Sequence, residues 1–254
     1  MTKKIVLICI LFASFFLPTC KSTKSLNNLN PKLKILQKAY PNFIIGIDAN
    51  HIILYDNTTM KFNDFKEKNF KKLLNSADIE DMFFYKYNKG KKFDISTLNN
   101  DPGRIRFEPL FKKMYGKNKK EVKKNLVKII WLPKTVGKEL WVTKINNVNI
   151  KLQEISNILD DLPHLHKYVD NPAGTFYWRK ISGTKRLSTH SLGIAIDINV
   201  KYSNYWLWDD KLIYRNQIPF ELVKIFEEHG FIWGGKWYHY DTMHFEYRPE
   251  LLTD

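Results

Sequence analysis

The chain has 254 residues, 44% hydrophobic and 15% aromatic, enough to fill a core, which excludes a wholly disordered polypeptide. A mean hydropathy of -0.39 with one long apolar run excludes a multi-span membrane protein, and two cysteines, Cys9 and Cys20, exclude a disulfide framework or a cysteine-rich zinc site. The 41 basic and 26 acidic residues give +15, which suits an anionic partner equally as well as a surface solvated by a lysine-rich coding bias.

In chain order, residues 1–19 (MTKKIVLICILFASFFLPT) read as a signal peptide. Lys3 and Lys4 form its basic start, and Ile5 to Leu17 form an apolar run shorter than the roughly 20 residues of a spanning helix. Leu17-Pro18-Thr19-Cys20 resembles a bacterial lipobox, with Thr19 where a smaller residue is usual, and makes Cys20 the first mature residue and the lipidation site. Plain signal-peptidase cleavage and an uncleaved anchor are the alternatives. Either way the chain is expected to be exported to the cell envelope, in the periplasm or on the outer surface.

Residues 20–31 are polar, without apolar periodicity, and read as a flexible tether. Phe43 to Tyr55 holds two short β runs around the turn-prone Asp48-Ala49-Asn50, and Asp64 to Leu74 is spaced loosely like a helix. Breaker clusters at 88–92 (NKGKK) and 99–103 (NNDPG) bound an N-terminal α/β subdomain, residues 32–99, of unassigned role. Lys117 to Lys124 is the densest basic run. It lacks the interleaved aromatics of a nucleic-acid surface and reads as a solvated helix face, so no nucleic-acid partner is expected.

Leu140 to Ile145 reads as a strand and Asn146-Asn147 as a turn. Leu152, Ile155, Leu159 and Leu162 then mark one face of a helix that Pro163 stops. Phe220 to His229 is a second amphipathic helix with Gly230 as its left-handed cap.

Two segments hold most of the chemistry. In Ser188–Asp197 (STHSLGIAID), His190 and Asp197 flank Gly193 and a short buried strand; in Gly234–Tyr247 (GGKWYHYDTMHFEY), Asp241 stands three before His244, and Glu246 two after it. A hydrolytic zinc site needs three protein ligands and an open position, with a carboxylate nearby to move the water proton. His190, Asp197 and His244 supply the first set and Asp241 the second. On spacing alone the alternative stands that these histidines are structural.

STHSLGIAID resembles the S-x-H-x-x-G-x-A-x-D motif of the VanY-like D-alanyl-D-alanine carboxypeptidases, a zinc peptidase family in the superfamily of lysostaphin and hedgehog domains. DTMHFEY resembles its second motif, D-x-M-H-F-E. The stretches 101–116 (DPGRIRFEPLFKKMYG), 174–188 (GTFYWRKISGTKRLS) and 227–252 read like one exported subgroup, so the resemblance covers residues 100–254, the expected peptidase domain. It implies one Zn²⁺ held by His190, Asp197 and His244, with Asp241 as general base and acid. It also implies Arg179 as the oxyanion donor, with Arg186 as the alternative, and Ser188 as a substrate contact or else a turn cap. Glu246 would hold a ligand histidine in its tautomer. Trp237, with Trp233, Tyr238, Tyr240, Tyr205, Trp206 and Trp208, would wall a groove for a sugar–peptide polymer or pack the core. His239 is left between orienting substrate and lying at the surface, His229 is expected at a helix end, and His51, His164 and His166 are left as structural or surface residues.

The fold class implied is α+β: a small central antiparallel sheet bearing the zinc site, flanked by helices, with an N-terminal α/β extension. The activity implied is hydrolysis of peptidoglycan stem peptides at a bond involving a D-amino acid, with D-alanyl-D-alanine carboxypeptidase first. An L-Ala–D-Glu endopeptidase is the alternative within the family, and a non-catalytic wall-binding lipoprotein the alternative outside it. The partners expected are wall peptides and, through Cys20, a membrane. The sequence assigns no oligomeric state.

Overall fold

The computed structural model describes residues 29–253 apart from 91, 92, 94, 96 and 209. The expected signal peptide over residues 1–19, Cys20 and the expected tether up to residue 28 lie outside the described residues. Helix α1 (Pro31–Ala39) opens at Asn30, whose side chain accepts from the Lys32 N–H, with Pro31 at a position where no N–H is needed.

Strands β1 (Ile44–Ile47) and β2 (His51–Leu54) form the expected antiparallel pair, turned by Asp48, whose Oδ1 accepts from the N–H groups of Asn50 and His51. A third strand, β3 (Thr59–Lys61), pairs with β2; three residues with no buried side chain offered no pattern to read. The helix expected from Asp64 begins only at α2 (Phe70–Ser76). The cause is Lys68, which turns inward with Nζ 2.9 Å from Asp64, 3.0 Å from Asp78 and 2.5 Å from Asp81. An ammonium taken out of water needs that many carboxylates, and meeting them holds residues 64–69 out of helical conformation.

Next come α3 (Glu108–Tyr115) and α4 (Lys119–Lys124), the latter burying only Val122, as a solvated basic helix face should. Strands β4 (Leu126–Trp131) and β5 (Lys138–Thr143) form a two-stranded antiparallel sheet. After Asn146 and Asn147, both at positive φ, helix α5 (Val148–Asp160) buries Leu152, Ile155 and Leu159, and the chain leaves it ahead of Pro163. Two short elements, α6 (His166–Val169) and β6 (Pro172–Gly174), lead to the motifs.

There, β7 (Ala195–Asn199), β8 (Phe231–Trp233) and β9 (His244–Tyr247) join β6 in a four-stranded antiparallel sheet in the order β6-β7-β9-β8, with helix α7 (Phe220–Glu228) between β7 and β8 in the chain. Phe226 of α7 stacks on Phe245 of β9 with ring centroids 3.9 Å apart, which seats the helix on the sheet. The architecture is α+β: small antiparallel sheets flanked by helices. Leu33, Leu36, Ile52 and Phe62 share a continuous core with Phe111, Leu152, Ile196 and Phe245, so the N-terminal elements pack on the same interior as the central sheet.

Candidate active site

In the register of β7 and β9, Asp197 pairs directly with His244, so their side chains leave the same face of the sheet. His190 comes from the turn Thr189–Leu192 just before β7. Ser188 caps that turn, its Oγ accepting from the His190 N–H at 3.3 Å, and Ser191 Oγ ties it to the backbone of Tyr177 and Arg179. Gly193 joins turn to strand at φ 70°. A Cβ there would lie 2.7 Å from the Leu126 side chain and 3.1 Å from the Thr143 nitrogen, so glycine lets β5 press against the turn.

The three side chains converge. His190 Nε2 is 3.1 Å from Asp197 Oδ1, His244 Nδ1 is 2.9 Å from the same oxygen, and the two ring nitrogens are 3.2 Å apart. The other nitrogen of each ring is engaged outward: His190 Nδ1 lies 2.6 Å from the Thr175 carbonyl and His244 Nε2 3.2 Å from Glu246 Oε2. A carbonyl can only accept, so His190 Nδ1 carries the proton and Nε2 presents its lone pair inward. Glu246 favours the matching tautomer of His244. Two lone pairs and a carboxylate oxygen facing one another repel unless a cation or proton lies between them. Ligands on a tetrahedral centre with bonds of about 2.0 Å stand about 3.3 Å apart, close to the separations found here. The donor set therefore fits Zn²⁺, and it is the cluster of metal-capable side chains found among the described residues.

Electrostatics agree. Burial pushes the Asp197 carboxyl up, yet the charges and hydrogen bonds of His190 and His244 outweigh it and hold it well below the usual carboxylate range. Burial pushes His244 down, but hydrogen bonds to the Asp197 and Glu246 carboxylates lift it to about 10, the signature of a negative pocket that draws a proton or a metal. Glu246 is itself kept ionised against burial by His244, Arg106 and Arg248.

Asp241 enters from the turn before β9, its N–H on the Gly234 carbonyl at 3.0 Å. Its Oδ1 is buried without a hydrogen-bond partner. Burial, then the charge of Asp197, raises its carboxyl to about 7. A carboxylate with a free oxygen and a pKa near neutrality is equipped to take and return a proton.

His190, Asp197, His244, Asp241, Arg179, Ser188, Trp237 and Glu246 line one cleft of about 360 Å³, whereas Trp233, Tyr238 and Tyr240, also anticipated as groove walls, do not. Arg179 also borders a recess beside His190 and Asp197. The aromatic residues divide: Tyr205, Trp206 and Trp208 join Trp237 at the cleft, while Trp233 and Tyr240 are buried in the interior. His239 lines the cleft, whereas His229 caps its helix through the Ile225 carbonyl, and His51, His164 and His166 bond elsewhere. Arg104 and Arg106 were not anticipated, although both line the cleft. They arrive from a segment more than 80 residues before the first motif, and nothing in its local pattern marks a wall of the site.

Residues 182–247 match the family model of the D-alanyl-D-alanine carboxypeptidases. The match covers both motifs and supports a peptidase of the VanY-like type, a family of zinc enzymes acting broadly on peptidoglycan. No curated protein and no solved structure matches the chain.

Proposed function

We propose that the protein is a zinc-dependent peptidase of the bacterial envelope that hydrolyses peptidoglycan stem peptides at a bond involving a D-residue, removal of a terminal D-alanine being the first reading. The observation that carries it is the convergence of His190, Asp197 and His244 at about 3 Å beside the unpartnered Oδ1 of Asp241. When bound by these three residues, Zn²⁺ supplies Lewis acidity toward a carbonyl and a water. Asp241 Oδ1 takes the proton from the attacking water and returns it to the departing amine. Arg179, at the cleft edge and in the recess beside His190 and Asp197, offers guanidinium donors to the oxyanion. Trp237 and Ser188 border the space where the peptide lies.

Incubating the purified protein with isolated muropeptides, with and without a chelator, tests this by product mass. Loss of one alanine, abolished by the chelator and restored by Zn²⁺, is expected. Release of the stem after its first residue would instead assign L-Ala–D-Glu cleavage. Unchanged muropeptides would favour a wall-binding protein. His190→Ala, in a chain that still folds, should abolish both zinc retention and cleavage.

Export and a lipid anchor at Cys20 belong to the same proposal. They place the basic chain against anionic lipid and the carboxylate-bearing wall. Cys20→Ala should abolish labelling of the chain by a lipid precursor, and labelling unchanged by the substitution, or absent from the unaltered chain, would refute the lipid anchor.

A further inference from the structure

The segment Gly234–Tyr247 holds a lysine that the peptidase reading leaves without a role, Lys236. It closes the turn Gly234–Lys236 and is only 3% exposed. Its Nζ donates to the Asn88 carbonyl at 2.8 Å, the Gly90 carbonyl at 2.7 Å and Glu227 Oε1 at 2.5 Å, which uses all three N–H groups of the ammonium. The rings of Tyr87, Phe93 and Phe220 surround the charge, with centroids 4.8, 5.4 and 5.4 Å from Nζ. Glu227, near the end of α7 and buried, is filled in the same way: Oε1 also accepts from the Tyr87 hydroxyl at 2.6 Å, and Oε2 from the Gly90 N–H at 3.0 Å. The Tyr87 hydroxyl in turn accepts from the Trp233 N–H at 3.1 Å. One buried network thus joins residues 87–90, helix α7 and the turn ahead of Asp241.

That turn carries the base. The Gly234 carbonyl accepts from the Trp237 N–H at 3.2 Å and from the Asp241 N–H at 3.0 Å, so both cleft residues hang from one oxygen two positions before Lys236. The far end of the loop is held from the same side: the Tyr238 N–H donates to the Asn100 carbonyl at 3.0 Å, and the His239 N–H to Asp101 Oδ1 at 2.9 Å. Tyr87 and Trp237 also share a small buried cluster with Ile232 and Leu251. Residues 87–90 and 100–101 therefore grip the loop 234–241 from outside the matched segment 182–247. The side chains of His190, Asp197 and His244 bond to one another, to Thr175, Thr189 and Glu246, and stand apart from this network. Lys236 itself does not line the cleft.

We propose that Lys236 is a positioning residue for the reaction: it clamps residues 87–90 to the turn from which Asp241 and Trp237 hang, and so holds the base in place beside the metal ligands. The inference rests on the peptidase reading and gives a task to a part of the chain for which that reading has no use. Removing the ammonium leaves a buried carboxylate and two buried carbonyls without their donor, and the turn loses its hold on the strap. A displacement of about 1 Å at the base can cost roughly a hundredfold in rate, whereas the triad stays on its own turn and strands.

Lys236→Met in the full chain tests the clamp by three readouts. On muropeptides kcat should fall roughly tenfold to hundredfold. Zinc affinity, read by competition with a chromogenic chelator, should stay unchanged. Amide hydrogen exchange should quicken in residues 234–243 and not in helix α5. Lys236→Met combined with Glu227→Gln also removes the unpaired carboxylate, so it should recover the Tm lost by the single variant but not kcat, because the Asn88 and Gly90 carbonyls still lack their donor. Tyr87→Phe, which deletes one hydroxyl of the network, should give the same pattern in milder form if Lys236→Met fails to fold. Unchanged kcat, exchange that quickens equally along the whole chain, zinc affinity that falls with kcat, or kcat that returns with Tm in the double variant each overturns the proposal and leaves Lys236 a stabilising residue only. If the unaltered chain cleaves no muropeptide, the peptidase reading fails on its own, and hydrogen exchange still decides the clamp: selective quickening in 234–243 supports it, and none refutes it.

Discussion

Asp241 shows how the site trades stability for chemistry. Burial and the nearby Asp197 charge raise its carboxyl to about 7, well above the ordinary value of about 3.9 in an unfolded chain. Between those two values the folded metal-free protein binds more protons than the unfolded one, so this residue makes stability fall as pH rises from about 4 to about 7. Asp241→Asn removes the buried charge and should therefore stabilise the metal-free protein at pH 8, by up to about 4 kcal/mol at about 1.4 kcal/mol per unit, while abolishing cleavage. Thermal unfolding at pH 4 and pH 8 checks this. The gain should be present at pH 8 and absent at pH 4, where the native carboxyl is already protonated. As a base, Asp241 must be ionised, so cleavage should rise with pH through its titration. A cation at the triad opposes the Asp197 charge, so that rise in kcat/KM should fall below about 7 and above the ordinary carboxylate value. A rate flat from pH 4 to pH 8 would remove Asp241 from the proton-transfer role.

At the scale of elements, the site depends on one joint. The turn Thr189–Leu192 and strand β7 carry His190 and Asp197 on either side of Gly193, whose φ of 70° and contact with Leu126 and Thr143 admit no side chain. Gly193→Ala should cost more than about 1 kcal/mol of stability from the backbone alone, and more from the collision with Leu126 of β4 and the Thr143 backbone of β5. Either relaxation moves His190 relative to Asp197, so zinc affinity, read by competition with a chromogenic chelator, should fall along with Tm. An unchanged affinity would mean the joint is not what sets the triad. The site was legible in the sequence through the resemblance of its motifs, since spacing alone left the histidines open as structural; the joint explains why residues 188–197 form one compact motif, with His190, glycine and strand within ten residues. The second motif was legible through the same resemblance and is likewise local, with Asp241 in a turn and His244 opening a strand. The wall of residues 101–106 was not. Asp101 meets His239 across 138 positions, and Arg186 meets Arg104 across 82, contacts that periodicity does not encode. Lys68 was hidden likewise, because a lysine inside a loosely helical pattern does not announce three carboxylate partners, two of them at Asp78 and Asp81 beyond it.

Across the whole molecule, the N-terminal elements reach His244 through buried polar contacts. Tyr40, at the end of α1, donates to Glu250 Oε2 at 2.6 Å; Glu250 Oε1 accepts from Arg248 Nε at 2.6 Å; Arg248 Nη1 bonds Glu246 Oε1 at 3.1 Å; and Glu246 Oε2 faces His244 at 3.2 Å. Tyr40, Arg248, Glu246 and Glu250 are each at most 1% exposed, so removing one partner leaves an uncompensated buried group rather than a solvated one. Around this chain, Leu33 and Leu36 join the core that contains Phe111 and Phe245. Helix α1, in a segment with no resemblance to the peptidase motifs, thus covers the polar contacts behind His244. A fragment starting at residue 100 would expose Glu250, Arg248 and the apolar surface under α1 together. It should fail to fold and to bind zinc, whereas the whole chain should unfold in one cooperative transition by both circular dichroism and tryptophan fluorescence. Two separated transitions, or a fragment that folds and binds zinc as tightly as the whole chain, would show that the N-terminal elements are an independent unit and that the Tyr40–Glu250 contact contributes nothing to the site.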